Sequence, residues 1–132
     1  SIAQHMAGDF ASMARVPAEV PSDVAMLTAD ANDHGYDNVF GNVVRRRLRD
    51  SRDVLIAMSC SGRSGNVLRA VAEARSIGAE VATLSGFDED NNLRKTGKIN
   101  FWVPSKSYGA VQIAHLAILH AICDALHATS HR

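Results

Sequence analysis

Aromatic residues are scarce in this chain: Phe, Trp and Tyr make up 5% of 132 residues. The core must therefore be built from Ala, Val, Leu and Ile. Neither charge is in excess, with 14 basic and 14 acidic residues, so no long-range field recruits nucleic acid or an anionic membrane. Cysteine is limited to Cys60 and Cys123, far apart and in no CxxC pattern, which argues against a disulfide framework or a thiolate zinc site. No secretory signal and no apolar run of about 18 residues is evident, and a soluble, cytoplasmic protein is expected. There is no internal repeat and no low-complexity tract. The GxxxxGK[ST] and GxGxxG patterns are both missing, which argues against a nucleoside triphosphate or a dinucleotide.

What is present is an ordinary globular composition, 46% hydrophobic and 21% charged, on a length that suits one domain. Residues Ile2 to Met13 read as a helix, with Ala3, Met6, Ala7 and Phe10 at helical spacing. After a loop with Pro17 and Pro21, Val24-Ala25-Met26-Leu27 reads as a short buried strand. Residues Asp30 to Gly35 have turn chemistry. A helix is expected from Asp37 to Arg49. Its Arg45-Arg46-Arg47 run points in three directions and reads as a solvated face. The continuous apolar run Asp53 to Met58 suits a parallel strand covered on both faces. A helix to Ser76 follows, with Gly78 as its C-terminal cap. Strands are expected at Glu80–Leu84 and Ile99–Val103, with a polar surface segment from Phe87 to Gly97 between them. Tyr108 to Ala128 reads as a long helix, apolar almost all round, covered either within the chain or by a partner subunit. Strands alternating with helices predict an α/β fold, a doubly wound parallel sheet flanked by helices.

The strand Val54–Met58 runs into Ser59-Cys60-Ser61-Gly62-Arg63-Ser64-Gly65, where a helix begins. Ligands of open α/β sheets sit beyond the carboxyl ends of strands. A helix N-terminus offers unpaired N–H groups and partial positive charge, which suits a phosphate. The hydroxyls of Ser59, Ser61 and Ser64 add donors, and Gly62 and Gly65 admit close backbone approach. Arg63 either adds charge or points to solvent. Two readings stand: a phosphate-ester site, or an N-cap by Ser64 with the other serines filling a turn. Taken singly, His5 and His120 read as satisfied core histidines.

The segment Asp53 to Val67 closely resembles the sugar-isomerase (SIS) domain family, and within it the phosphoheptose isomerases. So do Ala3-Gln4-His5-Met6-Ala7, Asn32-Asp33-His34-Gly35-Tyr36 and Val111 to His120. The resemblance runs from Ser1 to about Leu126. It implies a flavodoxin-like fold, a homotetramer with active sites at subunit interfaces, and interconversion of sedoheptulose 7-phosphate with a heptose 7-phosphate. It implies phosphate binding by Ser59, Cys60, Ser61 and Ser64, with Ser1 ending a second substrate loop, and sugar contacts from Asn32, Asp33 and Gln112. It also implies a helix and a first strand ahead of Ser1, and several further residues between Asp30 and Asn32.

Moving a proton between adjacent carbons through an enediol needs a base and an acid, and gains from a cation. The family's base pair is a glutamate on the first helix and a histidine on the last, which places catalysis on Asp9 and His120. Some members bind zinc at the positions of His5, Asp9, Gln112 and His120. His5 and Asp9 are four apart and share a helix face, and Gln112 and His120 are eight apart, returning to nearly one face. Asp9 is one methylene shorter than the family's glutamate. Gly109 stands where an acidic residue is usual and Met13 where an arginine is common. His115 reads as a core residue, His34 as a turn cap, and His127 and His131 as exposed tail residues. The competing reading is a non-catalytic SIS module that binds a phosphosugar or a replication initiator as a tetramer. Retention of both His5 and His120 favours the enzyme.

Overall fold

The computed structural model describes residues 1–130, and His131 lies outside the described residues. They form two compact units. One comprises residues 1–20 and 112–130, the other Pro21–Val111.

The Pro21–Val111 unit is an α/β layer. Strands β1 (Val54–Ser59), β2 (Glu80–Ser85) and β3 (Ile99–Trp102) lie in the order β1-β2-β3, all parallel. The register pairs Ser59 with Ser85 and Ser85 with Trp102, so the three carboxyl ends are level. Helices α2 (Val24–His34), α3 (Val39–Arg47) and α4 (Gly65–Ile77) complete it. Its core is small and aliphatic, as the shortage of aromatics requires. Val44, Ala57, Ala70, Val71, Ala74, Ala79, Val81 and Leu93 are all buried in one cluster. Four alanines among these eight let helix and sheet backbones approach closely. The C-terminal cap of α4 is Gly78, at φ +88°, as its position in the sequence predicts.

Three expectations change here. The apolar run Val24–Leu27 opens helix α2 and is no strand, because Asp23 caps it by accepting from the Met26 amide at 2.8 Å. That cap, three residues before the amide it serves, outweighs a four-residue apolar run. The segment read as turn chemistry, Asp30 to His34, belongs to the same helix, with Gly35 at its C-cap. The polar segment from Phe87 to Gly97 is also more than surface: Asn91 and Leu93 are fully buried.

In the other unit, α1 (Ile2–Ser12) starts on a capping box. The Ser1 hydroxyl accepts from the Gln4 amide, and the Gln4 side chain reaches back to the N-cap backbone. The spacing Ser1-x-x-Gln4 carries that signature. Helix α5 (Tyr108–Ser130) buries Val111, His115, Leu119 and Cys123, one residue per turn. His115 is buried and partnered, as a core histidine should be. His127 is no free tail residue, since its Nδ1 lies 2.7 Å from the Met13 carbonyl. The sequence reading found no apolar run long enough to cross a membrane. Among the described residues α5 is nevertheless one such helix by length and composition, with mean hydropathy 1.5 over 18 residues. Only 22% of that window is buried, and Ile113 is 72% exposed.

Candidate active site

Two groups of side chains are candidates for a functional site, one in each unit. The first is the turn between β1 and α4. Ser59, at the end of β1, is buried, and its hydroxyl bonds the Ser64 hydroxyl at 2.9 Å. The Ser59 oxygens also accept from the Gly62 amide, at 3.0 Å to the carbonyl and 3.1 Å to Oγ. Ser61 Oγ accepts from the Arg63 amide at 3.2 Å. Ser64 occupies the N-cap position of α4 with extended backbone, yet its side chain caps no amide. The simple N-cap reading of Ser64 therefore fails: the hydroxyl is committed across the turn to Ser59.

Gly62 sits at φ +65°, a conformation that costs glycine little and other residues more. Gly65 does not open space for a ligand. The Asp37 carboxylate occupies it, 2.9 Å from where a Cβ would stand, at a helix N-terminus that favours negative charge. Arg63 turns to the neighbouring segment, with Nη2 3.4 Å from Asp90 and 3.8 Å from Asp88, and Nη1 3.4 Å from Asn92. Cys60 is a free, half-buried thiol within the turn. Asn32 and Asp33 lie exposed near the end of α2 and bond each other at 3.0 Å. His34 ends that helix, with Nδ1 3.8 Å from Asp30.

The second group joins α1 to α5. Asp9 Oδ2 lies 3.2 Å from His5 Nε2 and 3.9 Å from His120 Nδ1. The two imidazole centroids are 5.6 Å apart. The side chains of His5, Asp9 and His120 are 58%, 25% and 43% exposed, open enough to meet a ligand. Beneath them Cys123 is buried, and burial, reinforced by the Asp9 and Asp124 carboxylates, pushes its thiol pKa up. Cys123 is thus a protonated, inert filler rather than a nucleophile. One ligand atom from each of His5, Asp9 and His120 lies within 4.8 Å of the others, a group that could hold a metal ion. Gln112, exposed on α5, stands about 12 Å along the helix axis from His120 at the α-helical rise and is not in that group. Ser1, as the N-cap of α1, is exposed. Gly109 and Met13, the two departures from the family pattern, are both exposed.

The sequence reading missed Asn91, which packs directly against Gly62. Only its place in a run rich in Asp and Asn after a strand could have signalled it.

Against known proteins, the SIS domain profile matches residues 1–86. The phosphoheptose isomerase of Colwellia psychrerythraea is 37% identical over 110 residues, covering 82% of this chain and 56% of that protein. That of Helicobacter pylori is 33% identical over 132 residues, covering 96% and 68%. The phosphoheptose isomerase structure from Neisseria gonorrhoeae superposes with a TM-score of 0.84 at 34% identity, covering 96% of this chain and 69% of that one. The chain spans between about half and two thirds of the length of these relatives. The serine turn lies on a parallel α/β unit, the SIS domain profile covers more than half of the residues, and the chain belongs to the SIS domain family.

Proposed function

We propose that this protein is an aldose–ketose isomerase that interconverts sedoheptulose 7-phosphate and D-glycero-D-manno-heptose 7-phosphate through an enediol. The observation that carries the reading is the Asp9 carboxylate, within 3.2 Å of His5 and 3.9 Å of His120. Curated relatives that bear the name phosphoheptose isomerase support an enzyme over a non-catalytic module.

The reaction needs anion binding and proton transfer. Ser59, Cys60, Ser61 and Ser64 take the phosphate, with the α4 N-terminus contributing its amides and partial charge. Ser1, Asn32, Asp33 and Gln112 are assigned to the substrate as the family implies. Asp9 and His120 share the proton traffic. One removes the proton from the hydroxyl-bearing carbon beside the carbonyl and returns it to the neighbouring carbon. The other moves a proton between the two oxygens, so that no net proton is gained or lost.

The donor set fits zinc. Ligands about 2.0–2.2 Å from a tetrahedral ion stand roughly 3.3 Å apart, close to the His5–Asp9 separation of 3.2 Å. Bound there by His5, Asp9 and His120, zinc would supply positive charge to steady the enediolate; Gln112, about 12 Å along α5 from His120, is too far to share that ion within one chain. A homotetramer accounts for the exposure of Ile113, Tyr108 and Leu126 at 72%, 62% and 37%, and two free cysteines suit a cytoplasmic setting.

The test is turnover of sedoheptulose 7-phosphate followed by NMR with the purified protein. The expected result is an aldose product from the wild type and none from His120→Ala. A wild type inactive on this and on other heptose, hexose and pentose phosphates refutes the assignment.

A further inference from the structure

Behind the serine turn lies a side chain that the chemistry above does not use. Asn91 is fully buried, and each polar atom of its amide is engaged. Nδ2 donates to Ser85 Oγ at 3.1 Å, to the Gly86 carbonyl at 3.1 Å and to the Asp88 carbonyl at 2.9 Å. Oδ1 accepts from the Arg94 amide at 3.0 Å. The same amide fills the space that a side chain on Gly62 would need. A Cβ there would stand 1.9 Å from Asn91 Oδ1 and 2.2 Å from Cγ. Two residues on, the buried Leu93 donates its amide to the Gly62 carbonyl at 3.0 Å. Gly62 is thereby held at φ +65° by a wedge from behind and a hydrogen bond from the side. Its amide in turn points at Ser59, which anchors Ser64.

We propose that Asn91 is a positioning residue for phosphate binding. It ties the carboxyl end of β2 to the turn after β1 and fixes that turn's backbone before a phosphate monoester arrives, without touching the ligand. Donors preset around an anion bind it more tightly than donors that must be ordered on binding. A buried amide that only plugged the core would need its hydrogen bonds satisfied but would have no reason to abut the one left-handed glycine of the turn. The proposal rests on the reading of this turn as the phosphate site.

The experiment is titration of the purified protein with inorganic phosphate, following the backbone amide resonances of residues 61–65, alongside a thermal melt. The wild type should show saturable shifts. Asn91→Ala should bind phosphate at least tenfold more weakly while still melting cooperatively, and Asn91→Ser, which is neutral, serves if the alanine variant does not fold. Gly62→Ala should lose binding because its methyl group meets Asn91. Adding Asn91→Ala to it should restore part of that loss, an epistasis that a general loss of stability does not give. An unchanged phosphate affinity in the Asn91 variants, with only the melting temperature lowered, overturns the proposal and leaves the phosphate site intact. No amide shift in the wild type overturns the phosphate site and this proposal together.

Discussion

In the turn from Ser59 to Ser64 the polar side chains are already spent on one another or on the adjoining segment: Ser59 on Ser64 and Gly62, Ser61 on Arg63, and Arg63 on Asp90. Around Asp9 they are not. There a carboxylate 25% exposed lies between imidazoles 58% and 43% exposed, at one close and one long distance. The difference suits the two tasks proposed for them. An anion site gains when its donors are rigid, because ordering them on binding would cost affinity. An acid–base group must change protonation and separation during the reaction, and full burial would penalise its charged forms.

Replacing Asp9 by Asn breaks the comparison on its looser side and should have the largest effect. The substitution keeps the shape and removes the charge. kcat for sedoheptulose 7-phosphate should fall by about 10²–10⁴, with little change in melting temperature, since the side chain is partly solvated. A kcat within about threefold of wild type would remove Asp9 from the proton traffic.

Ser64→Ala tests the rigid side. It deletes the 2.9 Å bond to Ser59, a net contribution of about 1 kcal/mol. KM should therefore rise about fivefold to tenfold while kcat stays nearly constant, the signature of lost uniform binding. A matching fall in kcat at constant KM would mean that the turn acts in the transition state and not on the bound phosphate.

The same contrast decides what was legible in the sequence. The strand and the serines that follow it are contiguous, so spacing alone placed β1, the turn and the start of α4. Asp9 and His120 are 111 positions apart (120 − 9), and no periodicity joins them. The family resemblance marked them as a pair, and the fold brings them together. Asn91 escaped both routes. Its segment is polar, and polarity reads as surface unless the chain folds back to bury an amide with its partners supplied. Helix α2 was misread for a related reason: a short apolar run does not distinguish strand from helix, and the deciding Asp23 cap lay just outside it.

The smallest effect belongs to a pair that supports the sheet-bearing unit and does no chemistry. Asp30, 8% exposed on α2, accepts from Arg46 of α3 at 2.5 Å, with a second contact at 3.4 Å. The Arg46 hydrogen bond holds its carboxyl pKa below the ordinary 3.8, against the opposing cost of burial, with further help from the Arg46 and His34 charges. Because the folded value lies below the unfolded one, the pair stabilises the fold at pH values above about 4 and loses that contribution as the pH falls through the folded value. Asp30→Asn should therefore melt at a lower temperature than wild type at pH 7, the gap should shrink below pH about 4 as the wild-type carboxyl protonates, and KM and kcat should not move. Thermal melts at pH 7 and at pH 3 decide it. An equal gap at both would assign the loss to packing of α2 on α3 and not to the charge on Asp30. A rise in KM would extend the rigid framework of the turn as far as α2.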